Sequence, residues 1–573
     1  MKKSLQQLSV ILLLSAMTMV AYAQDKGPSS TQSSYVLPAI SGYKTTAIIS
    51  APDMVNGYRM CGTPDGLGAF DNGDGTFTLL VNHEFANTAG IARAHGSTGA
   101  FVSKWIIKKS ELSVVSGSDL IKNVKLWNGK SYDTYNATNP NNNARFFRFC
   151  SADLPAVSAF YNEASGKGTK ERIFMNGEES GTEGRAFAHI VTGVEAGTSY
   201  ELPYLGKFSW ENAIANPATG DLTVVAGTDD ATTGGQVYFY IGSKSSSGND
   251  IERAGLSNGK VYSIKIEGLS QEVSASIPKA GTSFTLIDLG RADTINGNTL
   301  NTRTINSGAT SFLRPEDCTW DPAHPQDFYF VTTNAFDAPS RLWQVHFKNI
   351  NDLKQGGTIT ALLDGTEGQK MFDNITMDSY GHLILQEDVG NNAHNGKIWQ
   401  YTIATDELKM IGMHDKARFG DLGQSAASPF NQDEETSGVI DVQSILGPGM
   451  FLFVDQAHYS IPGEVVEGGQ ILALYNPDTY ASYLSSTFKP FWKTALGYNV
   501  SAFPNPTTDG QITLKGNAVF SVMDVISFSG TSLGISVPPA RETKINLSGQ
   551  PAGTYVIRIN QSNIIKTISV IKN

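Results

Sequence analysis

Cysteine is scarce in this chain of 573 residues, which has only Cys61, Cys150 and Cys318. A low, odd count excludes a disulfide-held scaffold, and no pair has the C-x-x-C spacing of a thiolate metal site. The three read as small buried hydrophobes, with one bridge left open. Positive charge is also short: 43 Lys+Arg face 54 Asp+Glu, for a net charge of −11. That balance argues against a nucleic-acid partner, which needs basic patches. No segment beyond the N-terminal one is apolar for long enough to span a bilayer as a helix. Long helical patterns are few. No G-x-S-x-G, phosphate-loop or Rossmann signature sits between a strand and a helix, so serine-hydrolase and nucleotide-binding readings have no support.

The first residues read as a targeting segment. Lys2-Lys3, an apolar run from Leu8 to Val20, and Ala21-Tyr22-Ala23 make residues 1–23 a secretory signal peptide, with the mature chain starting near Gln24. The 57 glycines, 40% hydrophobic and 10% aromatic residues describe a turn-rich β protein with a substantial core. The length calls for more than one domain.

A polar segment fills residues 24–40. From 41 to 490, two phrases recur. One is a turn followed by an apolar strand, as in Asn216-Pro217 before Leu222-Thr223-Val224-Val225 and Asp321-Pro322 before Phe328-Tyr329-Phe330-Val331. The other is a glycine or arginine followed by a β-branched and aromatic strand, as in residues 235–241, 341–347 and 396–403. Paired phrases of this kind read as repeated antiparallel sheets. The expected fold class is therefore all-β, a β-propeller of about six blades, with two packed sandwiches as the alternative. Residues 500–573 carry shorter alternating strands and read as a separate small β-sandwich.

Acidic clusters punctuate the larger region: Asn82-His83-Glu84, Glu178-Glu179, Asp229-Asp230, Glu316-Asp317, Glu387-Asp388 and Glu434-Glu435. Each adjoins an apolar strand-like run. Carboxylates gathered from distant strands repel one another unless cations separate them, and hard oxygen ligands suit calcium or a mixed set of hard metals. His83 and His458 read as ligands, acid–base groups or buried structural histidines. Asp71-Asn72-Gly73-Asp74-Gly75-Thr76 looks like a calcium-loop fragment but lacks its closing glutamate, so a hairpin turn is expected there.

Two resemblances sharpen this reading. Phe503-Pro504-Asn505-Pro506, Gly510, Leu547 and Pro551-x-Gly553-x-Tyr555 resemble the type A sorting domain of proteins exported by the type IX secretion system. That implies a partner in the secretion machinery and a secreted or surface location. Asp65 to Phe70, Asn82-His83-Glu84, Asn176-Gly177-Glu178-Glu179, Glu211, Arg314-Pro315-Glu316, Asp373-Asn374, Glu387-Asp388 and Glu435-Thr436-Ser437-Gly438 resemble, in order, the PhoX-type alkaline phosphatases. The resemblance implies a six-bladed propeller that hydrolyses small phosphomonoesters with calcium and iron. It implies metal ligands at Glu84, Glu178, Glu179, Glu211, Asp229, Glu316, Asp373, Glu387, Asp388 and Glu435. Glu179 and Glu387 are the expected catalytic carboxylates, and Arg314 the expected phosphate clamp. Gly177 stands where the resemblance places a cysteine iron ligand, so the expected cofactor is several Ca2+ ions, with Fe3+ disfavoured. A phytase-like or lactonase-like calcium propeller and a non-catalytic binding propeller remain as alternatives.

Overall fold

The computed structural model describes residues 25–232, 234–273, 281–335, 338–487, 500–527, 532–561 and 564–573. Residues 1–24, where the signal peptide is expected, and residues 488–499 lie outside them. The chain divides into two compact units, up to Thr479 and from Tyr480. No helix among the described residues is long and apolar enough to cross a membrane.

The first unit is a propeller, as expected, and its blades can be counted from strand pairing. One sheet runs Pro64–Asp71, Thr76–His83, Phe101–Lys108, Ser113–Asp119. A second is built on Ile173–Gly177, Ala186–Ile190 and Thr198–Glu201. A nine-stranded sheet is two blades joined at their outer strands: Trp210–Ala215 begins one and Pro315–Trp320 begins the other. Phe372–Met377 starts the fifth blade and Glu434–Asp441 the sixth. The strand Lys44–Ser50 pairs with Gln470–Tyr475, so the two ends of the unit complete one blade between them. Val36–Pro38, within the polar lead-in, adds an outer strand to the fifth blade against Glu407–His414.

The strands are apolar on both faces because each blade is sandwiched between neighbours. In Thr76–His83, Phe77, Leu79 and Val81 enter one hydrophobic cluster while Leu80 enters the next. Phe328 and Phe330 likewise face one interblade core, and Tyr329 and Val331 the other. Such strands read as continuous apolar runs rather than a clean alternation.

Residues 71–76 form the expected hairpin turn, with Gly73 N–H donating to Asp71 Oδ1 at 2.8 Å and Thr76 N–H to Asp74 Oδ1 at 3.0 Å. All three cysteines are free and buried.

The second unit is a β domain. Its strands are Val500–Phe503, Gln511–Ser527, Val537–Asn546, Gly553–Gln561 and Ile564–Lys572. The long strand Gln511–Ser527 pairs with Val537–Asn546 along its first half and with Gly553–Gln561 along its second. Ile512, Leu514, Val525, Leu547, Ile557 and Val570 form its own core.

Candidate metal centre

The site follows from one rule repeated around the ring. In five blades the first residue of the innermost strand pairs with the last residue of the second strand: Pro64 with His83, Trp210 with Asp229, Pro315 with Thr332, Phe372 with Glu387, Glu434 with Ala457. These paired residues are directed into the sheet. The second residue of each innermost strand is Asp65, Glu211, Glu316, Asp373 or Glu435. In four of the five a register shift follows at once, as between Trp210 and Ala213. A bulge there re-aims the side chain between its flanking pairs. The residue after each second strand lies at the same end: Glu84, Asp230, Thr333, Asp388 and His458.

The second blade obeys the rule through a segment that is not a regular strand. Phe149 bridges Glu178 and Asp153 bridges Met175 in antiparallel fashion. Cys150 therefore takes the place that Glu211 takes next door, and Glu179 takes that of Asp230. Cys150 is held by its backbone: its carbonyl accepts from Gly66 N–H at 3.1 Å and from Asn82 Nδ2 at 2.6 Å.

The resulting cluster contains three sets of donors, each set within 4.8 Å: Asp65, Glu84 and Cys150; Cys150, Glu179 and Glu211; Glu211, Glu316 and Asp373. Cys150 and Glu211 each belong to two sets, so the sets form a chain. Burial first, and then Glu435 and Glu84, push the Asp65 carboxyl well above the usual range. Burial and mutual repulsion do the same to Glu211, Glu316 and Asp373. Burial, opposed by Arg148, raises Glu179 to about 8, and burial with Asp388 raises Glu435 to about 7. Burial followed by Glu84 and Glu211 pushes the Cys150 thiol up. Asp65 Oδ1 is buried with no hydrogen-bond partner. Crowded, desolvated carboxylates with an orphaned oxygen fit multivalent cations, which relieve both costs. Metal ions of hard character suit the oxygen-only set, and the sets with a thiol suit a softer transition ion.

Several expectations need correction. Glu178 is turned away from the cluster: Arg185 Nε donates to its Oε2 at 2.6 Å and Nη2 to its Oε1 at 2.7 Å. Glu387 is buried inside its blade, where Trp399 Nε1 donates at 2.8 Å and Lys397 N–H at 3.2 Å. Asp229 accepts from Ser209 N–H at 3.1 Å and leaves the axis to Asp230. Gly177 is not the thiolate position. A Cβ there would stand 2.3 Å from Trp210 Cβ. The thiol comes from Cys150, which hydrogen-bonds Glu179 Oε2 at 3.3 Å. An oxygen-only site does not describe this cluster. The remaining expected ligands, Glu84, Glu179, Glu211, Glu316, Asp373, Asp388 and Glu435, are gathered around the axis.

Two arginines lie on the acidic rings. Arg314 forks onto Asp230 at 2.9 and 2.8 Å and reaches Glu316 at 3.0 Å. Its φ of +56° is a strained conformation held by that network. Arg148, which the sequence reading missed, contacts Glu179 at 2.5 Å and Glu84 at 3.5 Å and keeps 41% of its side chain exposed. His458 bonds Glu467 at 2.6 Å. Burial opposes its charge, yet Glu435 and Glu467 hold its pKa well above the ordinary value. His83 is a satisfied buried histidine, bonded to Gly62 O and Ser103 Oγ. Beneath the ring, Ser151 Oγ donates to Glu211 at 2.7 Å and accepts from Asn374 Nδ2 at 2.7 Å, and Ser437 Oγ bonds both Asn374 and Glu435.

Residues 195–370 match the family model of alkaline phosphatase PhoX. This chain resembles the PhoX phosphatases. The structure of Pseudomonas fluorescens PhoX with vanadate, a transition state analogue, shares the fold at a TM-score of 0.54 and 12% identity, over 80% of this chain and 98% of that one. A PQQ-bound aldose sugar dehydrogenase from Streptomyces coelicolor is more remote, with a TM-score of 0.33 and 11% identity over 76% of this chain and 100% of that one. Residues 501–573 match the secretion system C-terminal sorting domain. No curated protein sequence matches the chain.

Proposed function

We propose that this protein is an exported phosphatase that hydrolyses phosphomonoesters at a polynuclear metal cluster on the propeller axis. The observation that carries the reading is the chain of donor sets joined by Cys150 and Glu211, in a propeller whose third and fourth blades match the PhoX model. Calcium fits Glu211, Glu316 and Asp373, and a transition ion such as iron fits Cys150, Glu179 and Glu211. Bound cations would neutralise the phosphate oxygens and lower the pKa of an attacking water. The protein's own part is to fix those positions and to bind the ester. Arg148, half exposed beside Glu179 and Glu84, can take a phosphate oxygen by a charge-assisted bond. Arg314 orients Asp230 and Glu316. His458, kept protonated at the rim, can deliver a proton to a leaving alkoxide.

The test is phosphate release from a chromogenic monoester by protein whose metals have been assayed. Chelator-sensitive release supports the reading. A metal-loaded protein that releases no phosphate overturns it in favour of a binding propeller. The second unit we read as the export signal. Deleting residues 500–573 is expected to leave phosphatase activity in the cell extract while the medium and cell surface lose it, and normal surface delivery of the shortened chain would refute that role.

A further inference from the structure

A second cluster of metal-ligating side chains lies at the other end of the fourth blade. The innermost strand Pro315–Trp320 carries Glu316 at the axis site. Five residues on, Asp321 opens the turn to the next strand, roughly 16 Å away at strand rise. The turn reads Asp321-Pro322-Ala323-His324-Pro325-Gln326-Asp327, with two prolines that limit its conformations. It is closed by Asp321 N–H to Asp327 O at 2.9 Å and Asp327 N–H to His324 O at 2.8 Å. Asp321, His324 and Asp327 each offer a ligand atom within 4.8 Å of the others.

The two oxygens of Asp321 have separate tasks. Oδ1 caps the turn, accepting from Ala323 N–H at 2.7 Å and His324 N–H at 2.9 Å. Oδ2 faces His324 Nδ1 at 3.1 Å. Two donors on one tetrahedral zinc, each at about 2.0–2.1 Å, stand about 3.3 Å apart, so this pair is already at ligand spacing. Asp327 pairs across the sheet with His346, whose Nδ1 bonds Asp327 Oδ1 at 2.6 Å. That bond orients the carboxylate as an outer-shell partner does in metal sites. Asp321 and Asp327 are 4% and 13% exposed in their side chains, whereas His324 is 66% exposed. One ligand is thus open to incoming ions and two are preset.

We propose that this turn is a binding site for a zinc-class divalent cation, independent of the axis cluster. Its imidazole and carboxylate donors select a borderline cation over calcium. Asn216 of the preceding blade donates to Pro325 O at 2.8 Å, so cation binding also ties the third blade to the fourth at this end.

The experiment uses the full metal-loaded protein, titrated with zinc and then dialysed. One additional zinc per chain is expected in the native protein, with its calcium, iron and phosphatase rate unchanged. Zinc should raise the thermal midpoint of the native protein. In His324→Ala, a change at an exposed side chain, both the additional zinc and the midpoint rise should vanish. Asp327→Asn should give the same loss, and cobalt should produce visible absorption in the native protein alone. Equal zinc uptake by the native and His324→Ala proteins, or no uptake by the native protein beyond its resident metals, overturns the proposal.

Discussion

Replacing Cys150 with serine separates the chemistry of the axis cluster from its architecture. Cys150 is 4% exposed, and its Sγ stands 3.3 Å from Glu179 Oε2. A serine hydroxyl is close to isosteric and can donate to the same oxygen, so no buried group is orphaned. In metal-free protein the change should cost less than about 1 kcal/mol, the net worth of one ordinary hydrogen bond, because that bond is kept. The metal-loaded protein should respond differently, because the thiol belongs to two of the three donor sets. Loss of even an outer-shell partner weakens metal affinity about 10–100-fold, so loss of a direct ligand should weaken it at least as much. At fixed excess metal, that factor removes about 1.4–2.7 kcal/mol of ligand-linked stability.

The assay is a pair of thermal unfolding series, with metal and with chelator, alongside elemental analysis and phosphatase rates. The gap between native and Cys150→Ser protein should widen clearly in metal, with loss of transition metal and of turnover. Equal gaps in both conditions, with unchanged metal content and rate, would show that the thiol ligates nothing.

The same geometry orders other substitutions. Glu179→Gln should cut turnover on the order of 100-fold or more. Glu387→Gln, inside the blade among Lys370, Lys397 and Trp399, should cost about 1–3 kcal/mol of stability while keeping most activity; equal turnover losses in both would count against the register rule. Gly177→Ala should destabilise by about 1–3 kcal/mol through overpacking, because its Cβ meets Trp210 Cβ at 2.3 Å. Gly177→Cys should gain no iron, and a gain would restore the rejected assignment. His414 Nε2 stands 2.6 Å from Asp455 Oδ2 with both groups fully buried. Burial works against its charge, yet Asp455 raises its pKa to about 8. A raised folded-state pKa stabilises fully below the unfolded value near 6.5 and is lost as pH climbs through about 8, a contribution of about 2 kcal/mol. The thermal midpoint of native protein should therefore fall more steeply than that of His414→Gln between pH 6.5 and 8.5, and parallel pH profiles would contradict the pairing.

What the sequence made legible, and what it hid, comes down to one residue of register. Apolar runs such as Phe77 to Val81 announce strands, and acidic residues beside them announce a charged end. The propeller and the location of the site follow from those two signals. Within each acidic pair, however, neighbouring strand residues face opposite directions. Asp229 and Glu387 are each the last paired residue of a second strand, and Glu178 is the bridged equivalent in the second blade. All three are directed into protein, while Asp230, Asp388 and Glu179 reach the axis. Choosing the correct member of a pair requires knowing which residue the innermost strand meets, and the bulge that sets this is a tertiary feature without a local signature. The sequence signal that could have helped is positional: Asp65, Glu316 and Asp373 each stand one residue into a strand that opens with Pro64, Pro315 or Phe372. Cys150 was harder to find, because residues 149–153 form only isolated bridges and resemble a loop in sequence. Its place in the cluster becomes visible only when the six blades are superposed on one rule. The rule then assigns a thiol to the position that is a carboxylate in every other blade. A single soft donor in an otherwise hard ring makes one part of the cluster chemically distinct from the rest, an asymmetry that suits the proposed pairing of a transition ion with calcium.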